Sequence, residues 1–200
     1  MQITIFGATG SVGTQLIEQA VQQGHSVVAV SRRQVDQSDM DSVRWKQVDY
    51  NDVSRIGATL VGSDAAIISL GDYDVVDPTA NITTAMSKMQ VKRVELLTGF
   101  GTSPESRKQL DVGMRLIMTG MRPILRTKEW QDKIVRQSGL NFTIVQPPTL
   151  TSGPETHRYR FGDYQRKTIT GNISRADLAE FMITNLTKNR FEHEFVYIQN

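Results

Sequence analysis

The sequence predicts an α/β fold, a doubly wound parallel sheet of about seven strands with helices on both faces. Two observations carry that reading. Short β-rich runs alternate with longer stretches of helical periodicity along the chain. A strand–helix–strand series of this kind builds a parallel sheet through right-handed crossovers. In addition, runs such as SVVAV at 26–30 and AAIISL at 65–70 are almost continuously apolar, as suits strands covered on both faces rather than one.

Taken in order, Gln2–Phe6 (QITIF) is the first strand. Residues 11–23 form a helix, because Val12, Leu16, Ile17, Ala20 and Val21 share one face, and Gly24 ends it. Strand 26–30 follows, then a weaker strand over 43–48, a short helix over 52–60, and strand 65–70 stopped by Gly71. A helix is expected over 78–89, with Pro78 at its start. Arg93–Leu97 is the next strand. The stretch 99–120 is less regular, with a helix around 107–118. Residues 124–137 read as a helix closed by Ser138-Gly139, and Asn141–Gln146 as a strand stopped by Pro147-Pro148. Residues 151–170 read as a loop with a hairpin. The last helix covers 174–187, where Ser174 caps it and Asp177 stands at capping-box spacing. Residues 195–198 form the final strand. No linker, repeat or low-complexity segment interrupts this series, so 1–200 is expected to be a single domain.

Composition excludes several chemistries. The 200 residues include no cysteine, which removes disulfides, thiol nucleophiles, thiolate zinc sites and cysteine-ligated iron–sulfur clusters. It also suits a cytoplasmic protein. Lys plus Arg number 23 against 21 Asp plus Glu, a net charge of +2. The basic residues fall in pairs, Arg32-Arg33, Lys92-Arg93, Arg107-Lys108 and Arg166-Lys167, not in the clustered face that nucleic-acid binding uses. They are expected as solvated surface, with a local phosphate site at Arg32-Arg33. The longest apolar run, at 65–70, falls far short of the ~18 residues a membrane span needs. With the first strand starting at Gln2, no signal peptide is expected. His25, His157 and His193 lack metal-ligand spacing, and Glu192-His193-Glu194 would alternate sides of a strand, so no metal site is expected. Neither a nucleophile elbow nor a phosphate-binding GxxxxGK[ST] loop occurs.

The strongest chemical signal is Gly7-Ala8-Thr9-Gly10-Ser11-Val12-Gly13, which directly follows the first strand and opens the first helix. That is the context of a dinucleotide-binding fingerprint, here spaced G-x-x-G-x-x-G. Gly7 permits the tight turn, Gly10 lets the backbone approach a pyrophosphate, and Gly13 lets the helix pack closely on the sheet. Open N–H groups at the helix start favour the anion, so Thr9, Ser11 and Val12 join the glycines as cofactor-binding residues. The second signal is the end of the second strand. NAD sites carry an acidic residue there for the ribose 2′-hydroxyl. This chain has Ser31-Arg32-Arg33, and a guanidinium fork suits a 2′-phosphate. NADP is the expected cofactor, with NAD possible, and Arg32 is the main ligand with Arg33 beside it.

These residues, with SVVAVSRR, Val48-Asp49-Tyr50, Ser63-Asp64-Ala65-Ala66-Ile67-Ile68, EWQDKIVRQSGLNFTIVQPP and Ile173-Ser174-Arg175-Ala176-Asp177-Leu178-Ala179, occur in a familiar order. The sequence resembles the atypical short-chain dehydrogenases of the NmrA-like group, and within it the small NAD(P)H-dependent flavin and biliverdin-IXβ reductases. The resemblance covers nearly the whole chain and implies a Rossmann fold. It implies that Asp49 meets the adenine amino group with Tyr50 alongside. It sets Leu70 and Gly71 under the ribose and nicotinamide, Thr98 on the catalytic face, and Pro147 at the border of the nicotinamide.

The departures from the family pattern matter more. Short-chain dehydrogenases use a Tyr-x-x-x-Lys pair with a serine on the fifth strand. Lys128 falls on the Lys position, Ile124 on the Tyr position, and Gly99 on or beside the Ser position, with Thr98 the nearest hydroxyl. The carbonyl-reduction triad is therefore broken. Hydride transfer to a planar acceptor such as a flavin, quinone or tetrapyrrole asks little acid–base help of the protein. The expected function is an NADPH-dependent reductase of such a small-molecule acceptor, with Lys128 and Thr98 as catalytic residues. Tyr73, Phe100, Trp130 and Tyr159 are candidates to stack on the acceptor, and Arg158 and Arg160 to meet an anionic group on it. The alternatives are a non-catalytic NADP-binding redox sensor and a sugar-nucleotide epimerase or dehydratase. A monomer or small homo-oligomer is expected.

Overall fold

The computed structural model describes residues 1–35, 41–71, 74–120, 122–162 and 171–200. Its strands are β1 (Gln2–Phe6), β2 (Ser26–Ser31), β3 (Val43–Gln47), β4 (Ala65–Ile68), β5 (Arg93–Leu97), β6 (Asn141–Gln146), β7 (Thr149–Thr151), β8 (Arg160–Gly162), β9 (Asn172–Ser174) and β10 (Glu194–Gln199). Its helices are α1 (Gly13–Gln22), α2 (Val53–Thr59), α3 (Val76–Lys88), α4 (Pro104–Lys108), α5 (Val112–Gly120), α6 (Arg122–Gln137) and α7 (Arg175–Thr187).

The main sheet has 8 strands in the order β3-β2-β1-β4-β5-β6-β10-β8. All pair in parallel except β8, which runs antiparallel to β10. This is the Rossmann order, whose switch point lies between β1 and β4. Because side chains alternate faces along a strand, each central strand feeds two cores. Ile3, Ile5, Ala65 and Ile67 pack with Leu16 and Ala20 of α1 and with Leu178 and Met182 of α7. Phe6, Ala66 and Ile68 pack on the opposite side with Ile56 of α2, Ile82 and Met86 of α3, and Val135 of α6. The near-continuous apolar runs in the sequence follow from this double coverage.

The strands expected from the sequence are β1 to β6 and β10. Several boundaries are corrected. Helix α1 starts at Gly13 rather than at residue 11, because 10–12 belong to the turn and Val12 is the N-cap. Helix α3 starts at Val76, so Pro78 lies inside the first turn, where its lack of an N–H costs nothing. The expected helix over 107–118 is two helices. Ser103 and Ser106 form a capping box that starts α4 earlier, and the Arg115 guanidinium donates to the carbonyls of Leu110 (3.0 Å) and Lys108 (2.6 Å), closing its end. The described part of 151–170 is no hairpin: β8 joins β10, while β7 pairs in parallel with β9. Among the described residues no helix is long and apolar enough to cross a membrane.

Candidate functional site

The carboxyl ends of β1, β2 and β4 border a cleft of about 200 Å³ at the switch point. Gly7, Thr9 and Gly10 form one wall, Ser31, Arg32 and Arg33 a second, and Ser69, Leu70 and Gly71 a third. The turn that builds the first wall is fixed by backbone chemistry. Gly7 has φ +84°, and a Cβ there would stand 2.3 Å from the Ser69 carbonyl oxygen. A Cβ at Gly13 would lie 2.2 Å from Gly7 O, so only glycine lets α1 start this close to β1. Gly10 differs. Its N–H donates to Gly7 O at 2.9 Å, and a Cβ there would meet only that oxygen, at 3.2 Å. The rest of its surroundings is the open cleft, as a site for close backbone approach to a ligand requires. Helix α1 has no side-chain cap and no acidic residue in its first turn, leaving its N-terminal amides to an anion. Ser11 is exposed, whereas Val12 and Gly13 are buried.

The buried Tyr50 braces this turn. Its hydroxyl accepts from Gly7 N (3.1 Å), donates to Val30 O (3.2 Å), and its ring stands edge-on to Phe6. Burial raises its pKa, while the Gly7 N–H and the Arg32 charge pull it back. Tyr50 also lines the cleft, so it serves both turn and pocket. Thr9 Oγ1 and Ser31 Oγ lie 3.3 Å apart, and Ser31 Oγ accepts from Arg33 N at 3.1 Å. Arg32 and Arg33 are exposed at the rim. Asp49 is exposed outside the lining, its carboxylate accepting from Asn51 N and Nδ2 at 3.0 Å each.

On the other side of the switch point, Lys128 reaches from α6 to donate from Nζ to the Leu70 carbonyl at 2.5 Å. Ile124 belongs to the same helix, one turn earlier. Thr98 follows β5, its N–H held by Val145 O at 3.0 Å. Thr102 Oγ1 lies 3.1 Å from Thr98 Oγ1 and itself accepts from the Gln146 amide at 3.0 Å. Gly99 has open space around its Cα, since a Cβ there would meet nothing within 4 Å. Pro147 is buried and its carbonyl accepts from Phe100 N at 3.0 Å. Thr98, Lys128 and Pro147 thus gather at the ends of β4, β5 and β6, which are neighbours.

The expected aromatic platforms are largely corrected. Phe100 is buried, edge-on to Tyr197. Tyr159 packs on Phe161 and Phe181 and donates its hydroxyl to Glu180. Trp130 is exposed on α6 under the Lys133 ammonium, beside a separate groove with Arg107 and Arg136. Tyr73 and Arg166-Lys167 lie outside the described residues. Arg158 and Arg160 are exposed. Of the basic pairs, Lys92 is exposed as expected but Arg93 is not: it is buried against Glu95 at 3.3 Å, and Arg107 pairs with Glu129. Sequence reasoning missed Ser31 and Ser69 in the cleft lining, whereas Asp74, Val75 and Pro78, which also line it, belong to the little-patterned stretch 73–78 that the sequence reading gives to the acceptor pocket. The signal available for them was the switch point itself, which draws residues from the strand and helix following β1 in the sheet. It also missed that Glu155, His157 and Glu180 converge, with potential ligand atoms within 4.8 Å of one another. There Glu155 accepts from Gln19, and Glu180 from Tyr159 and Thr184.

Fold and cleft together define a dinucleotide-binding Rossmann protein, and comparison with known proteins agrees. The NAD(P)H-binding family matches residues 7–189, and the chain belongs to that family. The uncharacterised sugar epimerase YhfK of Bacillus subtilis is 25% identical over 208 residues, covering 96% of this chain and 91% of its own. Among solved structures, the oxidoreductase ylbE of Lactococcus lactis superposes with a TM-score of 0.84 at 21% identity, covering 100% of this chain and 91% of that one. A wide-type short-chain dehydrogenase/reductase of Veillonella parvula, solved in complex with NADP, gives 0.78 at 16% identity, covering 100% and 94%. At such identities the structural likeness speaks for the fold. The resemblance to atypical short-chain dehydrogenases holds at the level of an NAD(P)-binding Rossmann protein.

Proposed function

We propose that the protein is an NADPH-dependent reductase that passes hydride to a planar acceptor such as a flavin, quinone or linear tetrapyrrole. The observation that carries this reading is the combination on α6: Lys128 bonded to the Leu70 carbonyl, with isoleucine at position 124, one turn earlier. A lysine so held keeps a positive charge beside the end of β4, where it can orient a ribose. An isoleucine has no proton to give, so carbonyl reduction and epimerisation lose their acid or base. A planar, delocalising acceptor does not need one, because solvent can protonate the product.

The residues fit the cofactor. Gly10 leaves room for close approach, the uncapped α1 offers amides to the pyrophosphate, and Arg32 and Arg33 at the rim suit a 2′-phosphate. The Veillonella protein's NADP complex supports the same choice. Bound NADPH would supply the hydride. The chain's own work is then orientation: Lys128 and Leu70 hold the ribose end, and Pro147 limits access from one side. The Thr98 hydroxyl, its neighbour Thr102 steadied by Gln146, offers a hydrogen bond to the acceptor.

The test is NADPH oxidation, followed at its own absorbance, with FMN, riboflavin and a quinone. Turnover above the protein-free rate is expected for at least one. Tight NADPH binding without oxidation of any acceptor would overturn the reductase in favour of a redox sensor. Arg32→Ala is expected to raise the NADPH Kd by about ten- to a hundredfold and to leave the NADH Kd nearly unchanged. Equal losses would contradict the 2′-phosphate role. The name of the Bacillus relative favours a sugar-nucleotide epimerase as second reading, and NAD-dependent epimerisation of a sugar nucleotide would establish it.

A further inference from the structure

We propose that Arg175 is a direct contact of the cofactor's pyrophosphate, a cation facing the glycine turn from α7. This rests on the nucleotide reading above and adds a residue from the far end of the chain to it. Arg175 is the first residue of α7. Its side chain crosses to the glycine turn, where Nε donates to Ser11 Oγ at 3.1 Å and Nη1 donates to Ser152 Oγ at 3.2 Å. Ser11 stands between Gly10, which lines the cleft, and Val12, the N-cap of α1.

The arrangement runs against helix electrostatics. The N-terminus of a helix carries partial positive charge, from its unbonded amides and its dipole. Arg175 belongs to the first turn of α7, and its guanidinium lies beside Ser11, one residue before the N-cap of α1. One full positive charge therefore lies at the positive end of α1, whereas the end of α7 is met by the ionised Asp177. Helix α1 brings no acidic residue to that corner. The acid in the first turn of α7, Asp177, has its carboxylate engaged by Thr156, His157 and Ser174. Among the described residues no carboxylate forms an ion pair with Arg175. Local rules are broken in this way at functional sites. An anion at the corner is the arrangement that the guanidinium and the end of α1 favour together.

A pyrophosphate meets that requirement. It carries charge on both phosphates, and the bare backbone at Gly10 admits it within reach of Ser11. Guanidinium has five N–H donors, of which the two serine hydroxyls take two, so the fork retains donors for phosphate oxygens. The competing account is a purely structural tether, in which Arg175 only ties the β7 end to α1 through Ser152.

Titrations of the full chain with NADPH and NADH separate these. Arg175→Ala is expected to raise both Kd values by the same factor, about ten- to a hundredfold, unlike Arg32→Ala. Arg175→Lys should recover part of the loss, since charge returns without the fork. Adenosine 2′-monophosphate, which lacks the pyrophosphate, should itself bind wild type and Arg175→Ala with the same Kd. Ser152→Ala should bind as wild type. Unchanged dinucleotide binding by Arg175→Ala would overturn the proposal. So would a Ser152→Ala loss as large as that of Arg175→Ala, because the tether would then account for everything. A wild-type chain that binds neither dinucleotide would overturn the nucleotide reading, and the proposal with it.

Discussion

At the scale of single residues, two glycines of one motif have different reasons for being glycine. A Cβ on Gly13 collides with the protein's own backbone, 2.2 Å from Gly7 O and 2.8 Å from the Ala8 carbonyl carbon. A Cβ on Gly10 meets only Gly7 O, at 3.2 Å, and otherwise enters the cleft. Gly13→Ala is therefore expected to destabilise the unliganded protein by at least about 1–3 kcal/mol, the usual cost of overpacking. Gly10→Ala is expected to melt close to wild type but to lose dinucleotide affinity. Thermal melts alongside NADPH titrations check both, and a Gly10→Ala protein that binds normally would refute the role given to that position. These residues were legible in the sequence because the backbone geometry admits so few residue types. Ser69 was not, because it enters the cleft from another element and no local pattern requires it. Arg175 was quoted in a family motif without a role, since its contact with Ser11 spans 164 positions of sequence.

At the scale of elements, α7 shows how a cap can also anchor a loop. Ser174 Oγ accepts from Asp177 N at 3.0 Å, as the sequence spacing predicts. The Asp177 carboxylate in turn accepts from Thr156 N (2.7 Å), His157 N (2.9 Å) and the hydroxyls of Thr156 and Ser174 (2.9 Å each). Burial alone would raise its pKa. The hydrogen bonds outweigh burial and hold it below the ordinary 3.8. Asp177→Asn keeps the shape and loses acceptors, so a loss of about 1.5–3 kcal/mol at neutral pH is expected. A depressed folded pKa gives stability that is present above the unfolded value and is lost as pH falls through the folded one. The gap in melting temperature between wild type and Asp177→Asn should accordingly close as pH drops below 3.8. A gap independent of pH would mean that the charge contributes nothing. The long apolar strands and amphipathic helices were readable from periodicity. Strands β7, β8 and β9 have only three residues each, too few for a period to show, and their partners lie far along the chain. The break between α4 and α5 depends on Arg115 capping carbonyls behind it, which composition does not reveal.

At the scale of the whole molecule, the two cores meet at a sheet that carries the buried contact of Arg93 with Glu95. Glu95 of β5 is fully buried, and its Oε1 accepts from Asn185 Nδ2 of α7 at 2.6 Å and from Arg93 Nη2 at 3.3 Å. Arg93 also donates to Thr143 Oγ1 of β6 (2.8 Å) and to Arg190 O (3.3 Å), so the network joins β5, β6, α7 and the turn before β10. The sequence hid it: Lys92-Arg93 looks like one more surface pair, and 93–97 reads only as a strand. The network is incompletely matched, since Glu95 Oε2 and Arg93 Nε have no hydrogen-bond partner among the described residues. Burial pushes the Glu95 carboxyl from 4.5 up to about 8, against the pull of Arg93 and Asn185. A folded pKa above the unfolded one means that the folded protein holds a proton that the unfolded chain releases. The stabilising contribution is complete below pH 4.5 and disappears as pH rises through about 8. Glu95→Gln, neutral at every pH, removes that dependence while keeping side-chain volume. Between pH 4.5 and 8 the wild type should therefore lose ground to Glu95→Gln, by on the order of a few kcal/mol over the window. Denaturant unfolding of both proteins across that range measures the difference directly. If the two curves run parallel, Glu95 is ionised across that range in the folded protein as in the unfolded chain, and the ion pair with Arg93 is strong enough to offset the burial of both charges.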